Sequence, residues 1–400
     1  MICEPKLCSG CGACENICPK NCISLTENTY GELHPLIDED HCIHCELCKK
    51  VCPQINDNIH NRPIKCIAMY LLNHKKRANC ASGGAAAFFY KNFLAQSPKN
   101  KVVGVAFDTD FNAGFYIVDE FSKTLPFQGS KYVQAYSKDI YVRIGEEIKN
   151  GSKILYIGTP CQVAACQNYL TAKNIGLDNI ITVDLLCHGV SPNKYLIERL
   201  DFYKEKYNLD KIDDLTFRSN KKHKNFHFYF YKNENDNLRE FNFYANEDFY
   251  FIGFLKNISL RESCYSCKFS KDTRVSDITI GDFIGLACSD KYETFKGNPQ
   301  NASMILVNTE KGLGFVEQIK NTEDILFVER DYREAVEFGQ SLNHPSVKSD
   351  FRDKFLELYP SLGFNEALES IIGKRVRKNR IKNFPKKMIV TILKNILRGD

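Results

Sequence analysis

The feature that most limits what this chain can become is a cysteine spacing that occurs twice before residue 54. Cys8-Ser-Gly-Cys11-Gly-Ala-Cys14-Glu-Asn-Ile-Cys18-Pro19 is followed by Cys42-Ile-His-Cys45-Glu-Leu-Cys48-Lys-Lys-Val-Cys52-Pro53, and both read C-x2-C-x2-C-x3-C-P. Three thiolates on one tight loop can cap three corners of a cubane of iron and sulfide, and the fourth iron needs a more distant cysteine. Zinc knuckles instead pair C-x2-C units at a wider separation. Disulfides are the other use of many cysteines, and this chain has 18. The start, Met1-Ile2-Cys3-Glu4-Pro5-Lys6, has no basic stretch leading into an apolar one, so no export signal is read there. In a reducing cytoplasm, the expected location, cysteines serve as metal ligands or catalytic thiols.

The doubled spacing resembles that of bacterial two-cluster ferredoxins. In that pattern each triple-cysteine loop is completed by the cysteine that follows the other loop. The expected ligand sets are therefore Cys8, Cys11, Cys14 with Cys52, and Cys42, Cys45, Cys48 with Cys18. Two 4Fe-4S clusters follow. Gly10 and Gly12 leave the first loop free to wrap its sulfurs. Cys3 and Cys22 fall outside the spacing and read as small buried residues.

Four hundred residues call for more than one structural unit. Apolar residues at 43 % supply a sizeable core, and no run of about 18 of them spans a membrane. The net charge of +5 is uneven: residues 374–400 hold ten Lys or Arg and one acid, so the body gives no argument for nucleic-acid binding. Arg62-Pro63 reads as a linker. The expected fold class is α+β: a ferredoxin-like domain over 1–60, a mixed α/β flavin-binding domain over 61–345, and a helical basic tail over 346–400.

In the body, Ala81-Ser82-Gly83-Gly84-Ala85 reads as a capped helix start, with Ser82 a good N-cap. Two glycines there let backbone N–H groups approach an anion such as a pyrophosphate; the other reading is a helix packed closely on its neighbour. Residues 153–206 read as strand–helix–strand–helix. Lys153–Ile157 ends in Gly158-Thr159-Pro160-Cys161-Gln162, and Ile180–Leu186 ends in Cys187-His188-Gly189-Val190-Ser191-Pro192. Neighbouring strands lie about 4.8 Å apart, which brings Cys161 and Cys187 to one site on the edge where α/β sheets bind ligands. Cys264-Tyr-Ser-Cys267 follows, then Gly281-Asp282. Together these are four thiols, the number a third 4Fe-4S cluster needs; an all-thiolate zinc site and cysteines that never meet stay open. The alternation in His227-Phe228-Tyr229-Phe230-Tyr231 predicts aromatic strands that fill a core. No dinucleotide or P-loop glycine fingerprint is present.

With Gly129-Ser130-Lys131-Tyr132-Val133-Gln134 added, this order of motifs resembles the family of coenzyme F420 hydrogenase/dehydrogenase beta subunits across roughly residues 1–345. The resemblance implies an iron–sulfur flavoprotein oxidoreductase that exchanges a hydride with a reduced deazaflavin, coenzyme F420, or another two-electron partner. It implies that Ser82, Gly83 and Gly84 hold FAD phosphates, that Lys131, Tyr132 and Gln134 line the flavin, and that Thr159 and Gln162 flank it. Cys161, Cys187, Cys264 and Cys267 would ligate the third cluster. His188 is a candidate proton handler or a structural hydrogen-bonding group. Nothing in the sequence marks a deazaflavin pocket, and relatives of this layout resemble proteins of surface-polysaccharide synthesis, so an unsaturated or keto sugar is a second partner class. A flavin-free electron-transfer subunit and a metal-bearing scaffold are the rival readings, with a redox protein or reduced coenzyme as partner. In the tail, Met388, Ile389, Ile392, Leu393, Ile396 and Leu397 share one helical face after a basic stretch, a pattern for anionic lipid or for packing on protein.

Overall fold

The computed structural model describes residues 1–218, 226–234, 237–289, 291–295, 301–321 and 325–398, with side chains followed as far as Phe384. The cysteine-rich segment is small. Helices Ala13–Ile17 and Leu47–Val51 each leave a triple-cysteine loop, and strands β1 (Ile23–Glu27) and β2 (Leu33–Ile37) form an antiparallel hairpin between them.

The body is built on an eight-stranded mixed sheet. In chain order its strands are β3 (Lys65–Leu71), β4 (Lys101–Phe107), β5 (Ala113–Val118), β6 (Ile154–Gly158), β7 (Ile180–Leu185), β11 (Ile278–Asp282), β12 (Ser303–Val307) and β13 (Ile325–Arg330). Across the sheet they run β13-β3-β12-β11-β7-β6-β4-β5. The centre, β4-β6-β7-β11, is parallel, and the flanking pairs are antiparallel. All five residues of β6 are buried, as expected for a parallel strand covered on both faces. The expected strand–helix–strand–helix unit is present: helix Pro160–Ala172 connects the parallel neighbours β6 and β7, and helix Asn193–Tyr207 follows.

A second sheet holds the aromatic segment: β8 (Asp214–Thr216), β9 (His227–Glu234) and β10 (Asn237–Tyr244), in the order β10-β9-β8. Its rings interlock with helix Asn193–Tyr207; Phe230 lies 4.5 Å from Phe241, and Tyr203 lies 4.8 Å from Phe243, centroid to centroid. These rings fill core, as the alternation predicted. The end of the aromatic segment, Phe249–Leu255, is helix.

Two departures concern the start of helix Ala85–Gln96. Its N-cap is Gly84, held at φ 100°, where a side chain would meet Leu71. The expected cap, Ser82, turns inward and donates its hydroxyl to the Ala302 carbonyl at 2.9 Å. Gly83 is pressed against the Met69 carbonyl and Ser303, so a Cβ there has no room. The closely packed helix start is the arrangement observed.

The tail is helical over Arg352–Arg398, broken at Gly363, whose φ of 75° is not helical. Arg199 joins it to the body: the buried guanidinium pairs with Asp248 at 2.8 Å and donates to Asn365 at 2.7 Å. Farther on, Asn379, Arg380 and Asn383 bond to Asn246 and Glu247, leaving Lys374, Arg377, Lys378, Ile381, Lys382 and Phe384 exposed. The apolar face expected over Met388–Leu397 lies outside the described side chains.

Candidate metal centres

The first loop turns at Gly10 (φ 61°) and Gly12 (φ 78°) and brings Cys8, Cys11, Cys14 and Cys52 to the wall of one cavity. A second cavity is lined by Cys18, Cys42, Cys45 and Cys48. These are the two sets that the crossed pattern predicts. Cys11, Cys14 and Cys52 are buried, whereas Cys45 is exposed. Cys3 is not the buried filler expected. It is half-buried, and its thiol sits against Cys8 and Cys52. Cys22 is buried as expected, with its sulfur 3.3 Å from that of Cys18.

Cys161 begins the helix after β6, and Cys187 follows β7, so adjacent parallel strands deliver both to the carboxyl edge of the sheet. Cys264 and Cys267 arrive on the turn at Glu262–Ser266. Loss of solvation pushes the Cys187 thiol well above its ordinary value, and the thiols of Cys264, Cys161 and Cys267 push it further. In the same way burial, aided by Cys267, pushes Cys161 up to about 11, and Cys264 up to about 12. Four thiols that raise one another are a poor site for bare thiolates and a fitting one for a polycation that neutralises them. The donor chemistry matches a cubane cluster in each of the three sets.

The sets are contiguous. Cys14 of the first lies within electrostatic reach of Cys48 of the second, and Cys11 within reach of Cys161 of the third. Ser9, between the first two cysteines, lies against Cys161. The spatial order is second, first, third.

Around the third set, several residues that the resemblance gave to a flavin have other partners. Gln134 is buried and donates to the carbonyls of Ser9 (3.1 Å) and Gly10 (3.4 Å). Gln162 donates to the Ala135 carbonyl at 3.0 Å, and its Oε1 accepts from the Thr159 backbone N–H at 3.3 Å, the capping-box bond of helix Pro160–Ala172, and from the Thr159 hydroxyl at 2.8 Å. The Thr159 oxygen is also 3.2 Å from the Cys161 sulfur. His188 donates from Nε2 to Asn257 Oδ1 at 2.7 Å, and burial lowers its pKa, favouring the neutral ring.

Tyr132 stacks on Phe254 at 4.6 Å, and His188 flanks the same phenylalanine at 5.4 Å, so a row of rings leads away from Cys187. At its far end Arg218 pairs with Asp282 at 2.6 Å and covers Phe226, while its buried Nε has no hydrogen-bond partner among the described residues. Lys131 immediately precedes Tyr132; its amine lies 3.3 Å from the Gln128 carbonyl, and burial pushes its pKa down to about 8. Arg218, with no motif around it, was not identifiable from sequence; Asp282 stood in the Gly281-Asp282 pair. Tyr132, Lys131, Arg218 and Asp282 have the polar and aromatic character that a flavin would need; the amides of Gln134 and Gln162 are engaged with protein partners.

Two parts of the chain match known protein families. Residues 7–55 match the 4Fe-4S dicluster domain, and residues 151–331 match the family described as the C terminus of the coenzyme F420 hydrogenase/dehydrogenase beta subunit. The F subunit of the F420H2 dehydrogenase of Methanosarcina mazei is 21 % identical over 209 residues, which cover 49 % of this chain and 59 % of that relative. Ferredoxin-1 of Rhodobacter capsulatus is 39 % identical over 46 residues, covering 12 % of this chain and 63 % of the ferredoxin. The chain thus spans about three-fifths of the length of these two curated relatives. Among solved structures, the F420-reducing NiFe hydrogenase complex from Methanosarcina barkeri has a chain with a TM-score of 0.45 and 14 % identity, over 70 % of this chain and 91 % of that one. Residues 151–331 thus belong with the family described as the C terminus of the coenzyme F420 hydrogenase/dehydrogenase beta subunit, and residues 7–55 form a dicluster domain, one for two 4Fe-4S clusters.

Proposed function

We propose that this chain is an iron–sulfur flavoprotein oxidoreductase that carries single electrons between a redox partner and a two-electron site at the carboxyl edge of the sheet. The observation that carries the reading is the contiguity of three four-cysteine sets, through Cys48 with Cys14 and Cys11 with Cys161. A flavin bound at that edge would interchange a hydride for single electrons. The protein's own part is to hold and bury. Cys8, Cys11, Cys14 and Cys52, then Cys42, Cys45, Cys48 and Cys18, then Cys161, Cys187, Cys264 and Cys267 are the proposed ligands. Tyr132 and Arg218 would seat the ring system and an anionic group, with Lys131 supplying a second cation. His188, fixed as a donor to Asn257, orients the loop after Cys187. The name of the Methanosarcina mazei relative points to a reduced deazaflavin as the two-electron partner. A keto or unsaturated sugar is the alternative substrate class.

Anaerobic purification tests the reading. A flavin absorption band and about twelve iron atoms per chain are expected, three cubanes of four. Zinc in place of iron would refute it. The internal commitments of Ser82, Gln134 and Gln162 favour a second reading, a flavin-free electron-transfer subunit. Full iron with no flavin after reconstitution with FAD would decide for that one. The exposed basic face at Lys374, Arg377, Lys378 and Lys382, with Ile381 and Phe384 exposed on it, supports contact with anionic lipid. Co-sedimentation with phosphatidylglycerol vesicles, lost at high salt, is the expected result; equal recovery with neutral vesicles would refute it.

A further inference from the structure

Arg261 is among the largest fully buried side chains of the molecule, with 1 % of its surface exposed. Its backbone belongs to the third cysteine set. The Arg261 N–H donates to the Val190 carbonyl at 2.7 Å, on the loop after Cys187, and the Arg261 carbonyl accepts from the Cys264 N–H at 3.0 Å. Its side chain points the other way, into the N-terminal segment. Nε donates to the Cys8 carbonyl at 2.8 Å, and Nη2 to the Leu33 carbonyl at 2.6 Å. Nη1 donates to Gln134 Oε1 at 3.0 Å, and Gln134 passes the connection on to Ser9 and Gly10. One guanidinium thus ties the loop of the first set to the loop of the third.

The choice of acceptors matters. The Cys8 and Leu33 carbonyls and the Gln134 amide are neutral, so they satisfy the guanidinium's N–H groups without balancing its charge. A buried cation needs an anion nearby. Glu32 is one, but its carboxylate also serves the Glu262 N–H at 2.8 Å and lies 3.8 Å from Arg352. His34 Nε2 lies 3.5 Å from Nη2 and supplies no negative charge, whereas the sulfurs of Cys8, Cys161 and Cys264, drawn from both sets, lie within the field of Arg261. Each cubane with four thiolates carries net negative charge, and each gains another on reduction. A fixed buried cation between two of them favours the reduced state of both, while the fork geometry of arginine fixes their spacing.

We infer that Arg261 is a positioning residue that clamps the first N-terminal cluster to the internal one and raises the reduction potentials of both. The inference rests on the cluster reading proposed above. It is tested by redox titration of the full chain, reconstituted without oxygen and followed by electron paramagnetic resonance. Wild-type protein without three reducible centres would overturn the cluster reading and this inference together. Given those centres, a Cys45→Ala variant identifies the signal of the second set. In Arg261→Gln, the reduced-to-oxidised ratio of the first and third centres at a fixed potential should fall about tenfold, or 59 mV for one electron, with the second unmoved. Arg261→Lys keeps the charge but loses the fork, so its potentials should stay near wild type while the magnetic interaction between the first and third centres weakens. A Gln variant that shifts neither centre, or shifts all three alike, overturns the inference. So does a Lys variant indistinguishable from the Gln one, and so does loss of every cluster from both variants, which would make Arg261 a folding residue.

Discussion

The two triple-cysteine loops are spelled alike and live differently. Both pass through left-handed backbone at the same two places: Gly10 and Gly12 in the first loop, His44 (φ 51°) and Glu46 (φ 59°) in the second. The backbone angle alone therefore does not demand glycine. What demands it is docking. A Cβ on Gly10 would run into the Gln134 amide, and one on Gly12 would run into Ser137 Oγ. The first loop is pressed into the body, with the Cys11 carbonyl accepting from both Ser137 and Tyr141 at 2.8 Å. Hydrogen bonds of residues 42–48 stay within the N-terminal segment, among the described residues. Glycine here marks the loop that faces inward, and the one that faces outward tolerates side chains.

Exchanging residues between the loops puts the most strain on that comparison. Gly12→Glu forces a side chain into Ser137 and should lower the unfolding free energy by about 3 kcal/mol, from overpacking and left-handed strain together. Glu46→Gly, the reverse exchange, should change it by less than about 1 kcal/mol. Chemical denaturation of the two variants without oxygen measures both; equal losses would refute the docking account of the glycines. A chelator applies a gentler test. With Cys45 exposed and three cysteines of the first set buried, about four irons should leave about tenfold faster than the rest, a difference of about 1.4 kcal/mol in barrier. Iron release in a single phase would erase the distinction. Smaller again is Tyr141→Phe, which removes one buried donor to the Cys11 carbonyl but leaves Ser137 in place. It should cost about 1 kcal/mol, and the resonance signal of the first set should change while that of the second does not.

What the sequence made legible follows the same division. Crossed cysteine sets are a matter of local spacing, and each set lines one cavity together with a cysteine outside the spacing, Cys3 in the first and Cys22 in the second. The β6–β7 unit was legible because a buried parallel strand is a short, unbroken apolar run. Ser82 as a cap, Gly10 and Gly12 as loop formers, and Gln134 and Gln162 beside a flavin are different in kind. Their roles depend on partners such as Ala302, Ser137 and Ser9, up to 220 residues away, and no local pattern encodes those. The antiparallel flank β11-β12-β3-β13 was invisible for the same reason, since β3 pairs with strands more than 200 residues later. Arg261 stands three residues before the first cysteine of a C-x2-C and looks in sequence like any other arginine.

The contrast between docked and open groups carries over to the far end of the proposed route, where Lys131 can be set against Lys49. Lys49 is exposed and paired with Glu46 at 2.5 Å. Lys131 is drawn in beside Tyr132, and burial holds its pKa at about 8, against the partial help of Asp214. An unfolded lysine titrates near 10.4. Between those values the unfolded chain binds more protons than the folded one, so this group's contribution to stability rises with pH across that window. Below pH 8 the folded protein bears the full cost of an amine kept charged, or neutralised, out of water. Lys131→Met should therefore raise the thermal midpoint at pH 7 by an amount equivalent to somewhat less than 1 kcal/mol, after allowance for solvent that still reaches the site, and the gain should shrink toward zero by pH 10. A gain that persists unchanged at pH 10 would mean that added apolar packing, and not the buried charge, accounts for it. A loss at pH 7 would mean that the amine is held in place by an anion, which is the behaviour expected if a phosphate or carboxylate already occupies the edge between Lys131 and Arg218.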